Sequence, residues 1–391
     1  MPPQAVVAGH ICLDLMPGLG SRPLDLRPGD LRVAGPVTIS PGGAVSNTGL
    51  ALNRLGVSTR LVALIGPDPL GGILRSALEA ESPGLGDGLV VRAGEGTSYS
   101  VILSSATTDR IVVHFPGAND DFSSAEIEPE HLRGAELLHV GYPPLMRRLC
   151  ADDGAELERI MRAAGEAGLV TSLDTAEPDQ RIGEVDWHRL LARVLPQVDI
   201  FMPSLGEIEA MLSTPRPWDG VNHPDVAWVR LLAESVLELG AGMVGLKLGR
   251  FGLYLRTAGV ERIGTIAGRL PGLDAQAWSD RELWSPIFEV PVKGTTGSGD
   301  ATIAGFLAAL LDRRDPVRAL DLACAVGSLC VEGDDALSGI GGREQAEARV
   351  RSAAPRPAPP LSNAWEPAGS SGVFAGPGDG RLAASKVPQS H

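Results

Sequence analysis

The clearest structural signal in this chain is VPVKGTTGSGDATIAGFLAALL, residues 290–311. Small residues occupy positions 294–299, and a largely apolar run follows from Ala301. A helix that begins in such a loop presents several backbone N–H groups at its positive end, and these groups can hold an anion. The stretch is not a Walker A loop, because the pattern GxxxxGK[ST] occurs nowhere in the chain. It therefore predicts an anion hole followed by a helix from about Ser298 to Asp312.

Asp300 falls in the first turn of that predicted helix. A carboxylate at this place can simply cap the helix, and composition alone favours that structural role. A chemical role is also open. Beside amides that stabilise negative charge on a transferring phosphoryl group, a carboxylate can accept the proton of an attacking hydroxyl.

Short β-branched segments alternate with helical patterns over most of the chain. The strand-like segments include VVAGHICLDL, RLVALIG, ELLHVGY, LVTSLDT, VDIFMPS and MVGLKLG, with helical patterns such as residues 153–167 and 205–212 between them. This alternation is typical of a parallel sheet covered by helices. The sequence therefore predicts a doubly wound α/β core.

Two segments interrupt the alternation. Residues 98–115 indicate two strands joined by a polar turn, and residues 15–39 combine Pro, Gly and Arg with short apolar islands. Together they predict a small β-sheet lid made of residues of about 15–40 and 97–116. A further segment, residues 265–285, carries two tryptophans among Pro, Gly and Asp, and we expect an ordered surface insertion there.

The end of the chain has a different composition. Residues 353–391 contain seven prolines and five glycines with few large apolar groups, which predicts a disordered tail. We therefore expect one domain over residues 1–352, followed by this tail over residues 353–391.

Charge and cysteine content exclude several classes of partner. With 34 basic and 48 acidic residues the net charge of the 391-residue chain is −14, which disfavours binding to nucleic acid or to anionic membranes. The four cysteines show no CxxC spacing, which favours reduced thiols. The first residues lack a basic region typical of a signal peptide, and the apolar run 301–311 is too short to span a bilayer. We expect a cytoplasmic protein.

A second polar cluster lies in ISPGGAVSNTGLALNRLG, residues 39–56. Gly42 and Gly43 allow close approach of the backbone, and Ser46 and Asn47 stand where a helix begins, so a hydroxyl-rich ligand would fit there. A tight turn with a capping residue explains the same pattern equally well. Asp14 and Asp68 follow strand-like segments, at the edge where α/β sheets bind ligands, and Asp68 could equally cap a helix.

Six motifs in order complete the pattern: GGAVSN, IGPDPLGG, FPGAND, PSLGE, KLGRFG and GTTGSGD. Over about residues 5–345 this set resembles the ribokinase-like, or PfkB, family of carbohydrate kinases. The resemblance implies a Rossmann-type core with a β lid. It also implies transfer of the γ-phosphoryl group of ATP to a sugar hydroxyl with Mg²⁺ as a cofactor.

The resemblance also implies roles for individual residues. Asp300 would be the catalytic base, and the anion hole would comprise Gly297, Ser298 and Gly299. The sugar would be held by Asp14, Gly42, Gly43 and Asn47. The nucleotide would be bordered by Ser204, Lys247, Gly249, Gly252 and Thr296, with Glu207 organising Mg²⁺ through water.

Two positions depart from the family pattern. Ser204 replaces an Asn near the phosphates, and Gly294 replaces an Asp that helps to bind a monovalent cation. The neighbouring Lys293 adds a positive charge, so we expect no dependence on potassium. His10 and His139 lie near strand ends, and we expect them to be structural.

Three functions remain open on the sequence. A kinase for a small sugar or sugar acid comes first, because only 4% of the residues are aromatic and a nucleoside needs a stacking surface. A nucleoside kinase of the same family and a catalytically silent sugar-binding regulator are the alternatives. Arg92 and Arg110 in the predicted lid could receive a second phosphate, and apolar residues of the hairpin suggest a homodimer through the lid.

Overall fold

The computed structural model describes residues 3–20, 28–29, 31–105, 108–213, 218, 222–352, 354–357, 359, 361–369 and 371–381. The strands of this part are β1 (Ala5–Gly9), β2 (Cys12–Pro17), β3 (Val37–Gly42), β4 (Thr59–Ile65), β5 (Leu89–Val91), β6 (Tyr99–Ser105), β7 (Thr108–Phe115), β8 (Leu137–Gly141), β9 (Val170–Leu173), β10 (Ile200–Phe201), β11 (Met243–Lys247), β12 (Leu253–Thr257), β13 (Glu282–Ser285), β14 (Glu366–Pro367) and β15 (Phe374–Ala375).

The helices are α1 (Gly43–Arg54), α2 (Pro69–Glu81), α3 (Pro129–Leu132), α4 (Arg147–Cys150), α5 (Ala155–Glu166), α6 (Trp187–Val194), α7 (Leu205–Met211), α8 (Val226–Glu238), α9 (Val260–Arg269), α10 (Ala275–Trp278), α11 (Ser298–Leu311), α12 (Pro316–Val331) and α13 (Arg343–Val350). Most bounds agree with the sequence patterns. Helix α5 begins two residues later than predicted, because Asp152 and Asp153 adopt positive φ angles before it.

Eleven of the described strands form one sheet in the order β14-β15-β13-β12-β11-β10-β9-β8-β1-β4-β5. Neighbours from β5 to β11 are parallel, and β12 pairs antiparallel with β11. In β1, Ala5 and Val7 pack into one hydrophobic core, whereas Val6 and Ala8 pack into the core on the other face. Both faces are therefore covered, and the predicted doubly wound α/β fold is confirmed.

Four strands form a separate small sheet in the order β3-β2-β6-β7. They come from the two segments that interrupt the sequence alternation, and residues 21–27, 30 and 106–107 of those segments lie outside the described part. One face carries Ile39, Ile111 and Val113, which are 44–57% exposed. The predicted small sheet is thus present, with an apolar surface that the described chain leaves open.

Residues 265–285 belong to the main core, so the expectation of a surface insertion was wrong. They form the end of α9, then α10 and β13, which is an interior strand between β12 and β15. Trp278 and Trp284 are fully buried, and Trp278 packs edge-on against Phe306 of α11. Polar turn residues dominate the composition of this segment, so its composition did not indicate that the two tryptophans are buried.

The C-terminal segment also differs from its prediction. Instead of a disordered tail, β15 pairs antiparallel with β13 at the sheet edge, and β14 pairs with β15. Trp365 is 8% exposed and packs against Trp284, while the Asp379 carboxylate bonds Arg281 at 2.8 Å. A few strong contacts fix the segment despite its Pro- and Gly-rich composition. Residues 382–391 lie outside the described residues.

Candidate active site

The carboxyl ends of the parallel strands bring most predicted site residues to one edge of the sheet. Tyr142 follows β8, Asp174 follows β9, Ser204 lies after β10, and Lys247 ends β11. Ligand sites of open α/β sheets lie at this edge because the chain passes there from strands to loops and helix N-termini. The starts of α1 and α11 complete the surroundings and bring Asn47 and Asp300 into contact.

Asp300 is the centre of this cluster. Its side chain is buried, at 2% exposure, and it accepts hydrogen bonds from Asn47 Nδ2 at 2.9 Å and from Thr48 Oγ1 at 3.4 Å. Tyr142 Oη lies 2.9 and 2.8 Å from its two carboxylate oxygens. These hydrogen bonds fix the position of the Asp300 carboxylate through side chains of other elements. Asp300 therefore does more than cap the helix.

Burial raises the pKa of Asp300, because a buried carboxylate loses the solvation that stabilises its charge. The Asn47 amide, the Lys247 ammonium and the Tyr142 and Thr48 hydroxyls stabilise the charge and offset part of this rise. A carboxylate with a raised pKa accepts a proton more readily than an ordinary carboxylate, and the donors around it hold it in place. Such a group is suited to general base catalysis.

Lys247 reaches from the end of β11 to the first turn of α11. Its Nζ lies 2.6 Å from Asp174 Oδ1, and a Cβ built on Gly299 would stand 3.5 Å from the same Nζ. Burial disfavours the ammonium charge, but Asp174 and Glu207 outweigh burial and raise the pKa of Lys247. A permanent positive charge therefore stands next to the amides of the predicted anion hole.

Asp174 is fully buried beside two further carboxylates. Burial, together with Glu207 and Asp300, raises its pKa to about 7, and Lys247 opposes this rise. Its Oδ2 has no hydrogen-bond partner among the described residues. This oxygen is therefore available at the sheet edge as a ligand for Mg²⁺, which prefers oxygen atoms.

Ser204 and Glu207 form a capping box at the start of α7. Ser204 Oγ accepts from the Glu207 amide, and Glu207 Oε2 accepts from the Ser204 amide at 2.7 Å and from Thr175 Oγ1 at 2.9 Å. The Ser204 backbone also forms a bridge to Lys247. Ser at position 204 thus keeps the helix start intact and leaves the Glu207 carboxylate beside Asp174 and Lys247.

The first turn of α11 contains the residues that were predicted to form the anion hole. Gly297 is the N-cap with φ +75°, a conformation that glycine adopts easily, and a Cβ there would lie 2.4 Å from Ala336 Cβ. Ser298 donates its amide to the Thr295 carbonyl, and Ala301 donates its amide to the Gly297 carbonyl. The amides of Gly299 and Asp300 between them have no backbone partner within the part of the chain that the structure describes. Cys330 Sγ bonds the Thr296 carbonyl at 3.4 Å and supports the loop.

The glycine turn after β11 separates Lys247 from β12. Gly249 and Gly252 have φ angles of +55° and +99°, and a Cβ on Gly252 would lie 2.0 Å from the Ser285 carbonyl oxygen. Gly252 is therefore required by the close approach to β13, while Gly249 faces open space. The turn lies at the same sheet edge as Lys247.

The predicted sugar-binding residues lie on the other side of Asp300, where the small sheet meets α1. Asp14 is on β2 and pairs in register with Ser40 of β3. A Cβ on Gly42 would lie 2.3 Å from Asp14 Oδ2, and one on Gly43 would lie 2.6 Å from His10 Nδ1. Gly42 thus leaves room for the Asp14 carboxylate beside the start of α1, and Gly43 leaves room for the His10 ring.

Both histidines noted in the sequence are buried, and burial lowers the pKa of each to about 3. His10 Nε2 lies 3.3 Å from His114 Nε2, and His139 Nδ1 lies 2.9 Å from Ser172 Oγ. Neutral imidazoles in such surroundings are structural members of the site wall.

Three site residues were missed by the sequence analysis: Thr48, Tyr142 and Asp174. Asp174 ends the strand-like segment LVTSLDT, so the rule that ligands bind at the carboxyl ends of strands could have found it. Tyr142 has φ 61°, in the left-handed region that non-glycine residues rarely adopt. Nothing in its local sequence indicates that its hydroxyl reaches Asp300.

A nucleoside triphosphate with Mg²⁺ fits the chemistry of this edge. Lys247 and the free amides of α11 suit phosphate oxygens, and the Asp174 and Glu207 carboxylates suit a hard cation, directly or through water. Asn47 Oδ1 is a second buried oxygen without a partner among the described residues. No group of three or more His, Cys, Asp or Glu side chains that could hold a metal ion occurs in the described part of the chain.

Comparison with known proteins gives one family and several relatives. Residues 4–339 match the pfkB family carbohydrate kinases. A sugar kinase of Archaeoglobus fulgidus, itself uncharacterised, is 27% identical over 291 residues, which cover 74% of this chain and 98% of that protein. The 2-dehydro-3-deoxygluconokinase of Bacillus subtilis is 26% identical over 315 residues, covering 79% and 86% of the two chains.

Solved structures show the same fold. Arabidopsis thaliana ribokinase, complexed with ribose and ATP, superposes with a TM-score of 0.68 at 20% identity and covers 90% of this chain and all of its own. A putative ribokinase II of E. coli, in complex with ATP and Mg²⁺, has a TM-score of 0.66 at 19% identity, covering 89% of this chain and 99% of its own. Within the described residues no helix is long and apolar enough to cross a membrane.

Proposed function

This chain belongs to the pfkB family of carbohydrate kinases, and we propose that it transfers the γ-phosphoryl group of ATP to a hydroxyl of a small sugar or sugar acid, with Asp300 as the general base. One observation carries this proposal. Asp300 is a buried carboxylate with a raised pKa in the first turn of α11, beside the helix amides and the Lys247 ammonium. A base and a cationic phosphate site thus stand side by side.

Each residue of the site has its own role in the proposed reaction. Asp300 accepts the proton of the attacking hydroxyl, while Asn47 and Tyr142 orient its carboxylate. The amides of Gly299 and Asp300, with Lys247, stabilise negative charge that develops on the transferring phosphoryl group. ATP would supply that group, and Glu207 would hold Mg²⁺ through water, where the cation would offset the charge of the phosphates. Asp14, Gly42, Gly43 and Asn47 position the sugar.

An unphosphorylated acceptor is favoured over a phosphorylated one. Arg92, one of two cations that the sequence offered for a second phosphate, is engaged by Glu126 at 2.5 Å. The Arg110 side chain lies outside the described residues. One relative is named as a ribose-1-phosphate kinase, 26% identical over 290 residues, so phosphorylated sugars belong in the test panel.

A nucleoside kinase is the second candidate. A nucleoside kinase of Methanothermobacter thermautotrophicus is 24% identical over 299 residues, and Tyr99 and Phe115 of the small sheet form an aromatic pair with centroids 5.6 Å apart. That pair is a stacking surface in principle. The sugar assignment is favoured because the polar set around Asp14 and Asn47 suits hydroxyl groups.

We also propose that the small sheet acts as a lid and that residues 1–352 form the kinase domain. The lid proposal is supported by Asp14, which lies on β2 and contacts Gly42 at the entrance to α1. The exposed Ile39, Ile111 and Val113 favour a homodimer through this sheet. A cytoplasmic location is consistent with such a kinase.

The test is ATP turnover with a panel of sugars, sugar acids, phosphorylated sugars and nucleosides, measured for the wild type and for Asp300→Asn. We expect turnover with one sugar or sugar acid, and a loss of about 10²–10⁴-fold in kcat for the variant. Asp274→Asn is the matched control, because Asp274 caps α10 by accepting from Ala277 N at 3.1 Å and lies beside Asp312, at the end of α11 opposite Asp300. Turnover by Asp300→Asn within a fewfold of the wild type would remove Asp300 from the mechanism.

A further inference from the structure

A groove of about 980 Å³ opens at the far end of α11 from Asp300. It is lined by the start of α12, the end of α13, and residues 367–381. Helices α11 and α12 pack closely and are joined by four residues, so they run antiparallel. At 1.5 Å per residue, the 14 residues of α11 place the start of α12 about 20 Å from Asp300. The groove is therefore separate from the candidate active site.

The charge of this groove opposes the charge of the chain. Its lining includes six arginines: Arg281, Arg314, Arg318, Arg351, Arg356 and Arg381. Four acidic residues accompany them: Asp315, Asp321, Glu347 and Asp379. Two positive charges remain in excess, in a protein whose net charge is −14.

Two of the arginines hold the C-terminal segment in place. Arg281 is 4% exposed and pairs with Asp379 at 2.8 Å, and Arg356 is 13% exposed and pairs with Asp321 at 2.5 Å. The Arg356 guanidinium also lies over the Phe288 ring, 4.4 Å from its centroid. These pairs are structural, because each arginine forms its ion pair inside the fold.

The arginines at the rim are differently placed. Arg318 and Arg351 are 71% and 66% exposed, and their ion pairs with Asp315 and Glu347 are 3.4 and 3.9 Å long. Arg381 is also exposed. Exposed pairs of this length contribute little, so these guanidinium groups can turn to an anion at small cost. Guanidinium groups match phosphate oxygens well, since they donate two parallel hydrogen bonds.

The floor of the groove is apolar. Phe288, Val317, Leu322 and Val350 contribute to it. The N-terminus of α12 does not supply the anion site, because Asp315 already accepts from the amides of Val317 and Arg318 at 3.0 and 3.1 Å. A ligand would therefore be recognised in two ways. The rim arginines would bind its negative charge, and the apolar floor would pack against an apolar ring.

We propose that this groove is a second binding site, for a small organic phosphate that carries at least two negative charges and an apolar ring. The site goes beyond the kinase chemistry and does not depend on it. Part of its wall, residues 367–381, lies outside the family match at residues 4–339. The binding site is thus a feature that the C-terminal segment adds to the kinase fold.

Equilibrium dialysis with radiolabelled ADP tests the proposal by counting sites. ADP carries both the ring and the charge, and the candidate active site takes one equivalent. We expect two equivalents per wild-type chain and one for the double variant Arg318→Gln/Arg351→Gln, whose groove affinity should fall at least tenfold. Adenosine, which lacks the phosphates, should not fill the second site.

The matched control is Arg133→Gln, because Arg133 is 74% exposed and pairs with an acid three residues away, as Arg318 does. It should retain two equivalents. All three substituted arginines are exposed, so the variants should fold, which circular dichroism verifies, and basal kinase activity should be unchanged. The same number of bound equivalents in the wild type and in the double variant would overturn the proposal, whether that number is one or two. A wild type that binds one equivalent and loses it in the double variant would support the groove and count against ADP binding at the candidate active site.

Discussion

The Tyr142 hydroxyl lies within hydrogen-bond distance of both carboxylate oxygens of Asp300, at 2.9 and 2.8 Å. Burial and the adjacent Asp300 charge raise the pKa of Tyr142 well above its usual value, so the phenol remains a donor at any working pH. Its proton stabilises the ionised form of Asp300. The general base is therefore tuned by a residue 158 positions away in the sequence.

Tyr142→Phe should shift the acidic limb of the pH–rate profile to higher pH. Loss of the hydroxyl removes one of the groups that lower the pKa of Asp300, so the carboxylate is protonated at a pH where the wild type is ionised. A hydrogen bond to a charged group is worth about 1.5–3 kcal/mol, which predicts a loss of roughly tenfold or more below the limb. A profile of kcat/KM against pH measures the shift. An unshifted limb would mean that Asp300 does not control it, and the buried histidines, with a pKa of about 3, should not do so either.

Lys247→Met should weaken ATP use strongly. The substitution removes the positive charge beside Gly299 and raises the pKa of Asp174 and Asp300, which Lys247 now lowers. We expect kcat/KM for ATP to fall about 10- to 100-fold, the equivalent of one charge-assisted hydrogen bond. Lys293→Met is the control, because Lys293 is 57% exposed and pairs with an exposed Asp334, and it should stay within about twofold. Equal losses in the two variants would contradict the assignment.

The local features of this architecture could be predicted from the sequence. The alternation of strands and helices, the glycine-rich start of α11 and the position of Asp300 follow from short-range patterns, so they were predictable. Helix α7 also begins at its predicted residue, Leu205, because the Ser204–Glu207 capping box at its start is a local signal.

Contacts between distant residues were not predictable in this way. The hydroxyl of Tyr142 reaches Asp300 only because β8 and α11 meet at one edge. The C-terminal segment was expected to be disordered because composition counts apolar residues, whereas its order rests on single contacts such as Arg281–Asp379. Trp284 was placed on the surface for the same reason, although β13 is an interior strand.

Gly42→Ala should raise KM for the sugar more than it lowers kcat. Gly42 has an extended backbone, with φ −135°, so alanine causes no backbone strain, but its Cβ would stand 2.3 Å from Asp14 Oδ2. The Asp14 carboxylate must move, and one lost charge-assisted hydrogen bond to the sugar predicts an increase in KM of about 10- to 100-fold.

Gly72→Ala is the control for this variant. Gly72 lies in α2, where a Cβ would meet nothing within 4 Å, so the change should be neutral or slightly stabilising. If the KM for the sugar is unaltered in Gly42→Ala, Asp14 does not belong to the sugar site.

Asp379→Asn should destabilise the protein without changing the catalytic constants at low temperature. Asp379 is fully buried, and its carboxylate pairs with Arg281, which is 4% exposed. A buried charge left without its partner costs about 3–5 kcal/mol, so the melting temperature should fall by several degrees. Glu130→Gln breaks an exposed pair with Arg133 and should change the melting temperature little. Equal melting temperatures for Asp379→Asn and the wild type would show that the C-terminal segment is not fixed by this contact.

Potassium should have little influence on activity. Gly294 has no side chain to bind a cation. The sequence did not indicate which way the Lys293 side chain points, and in the structure its ammonium lies 3.2 Å from Asp334 at the surface. The Lys293 amide is also committed, since it donates to the Val331 carbonyl at 2.8 Å. Without a carboxylate at position 294, a monovalent cation would lack a full negative charge among its ligands, and backbone carbonyls alone bind it weakly. Turnover with ATP and Mg²⁺ should therefore change less than about twofold when tetramethylammonium replaces potassium at constant ionic strength. Saturable activation by millimolar potassium would instead assign the cation to the small pocket beside Gly294, where Asp14, Asp334 and Asp335 stand together.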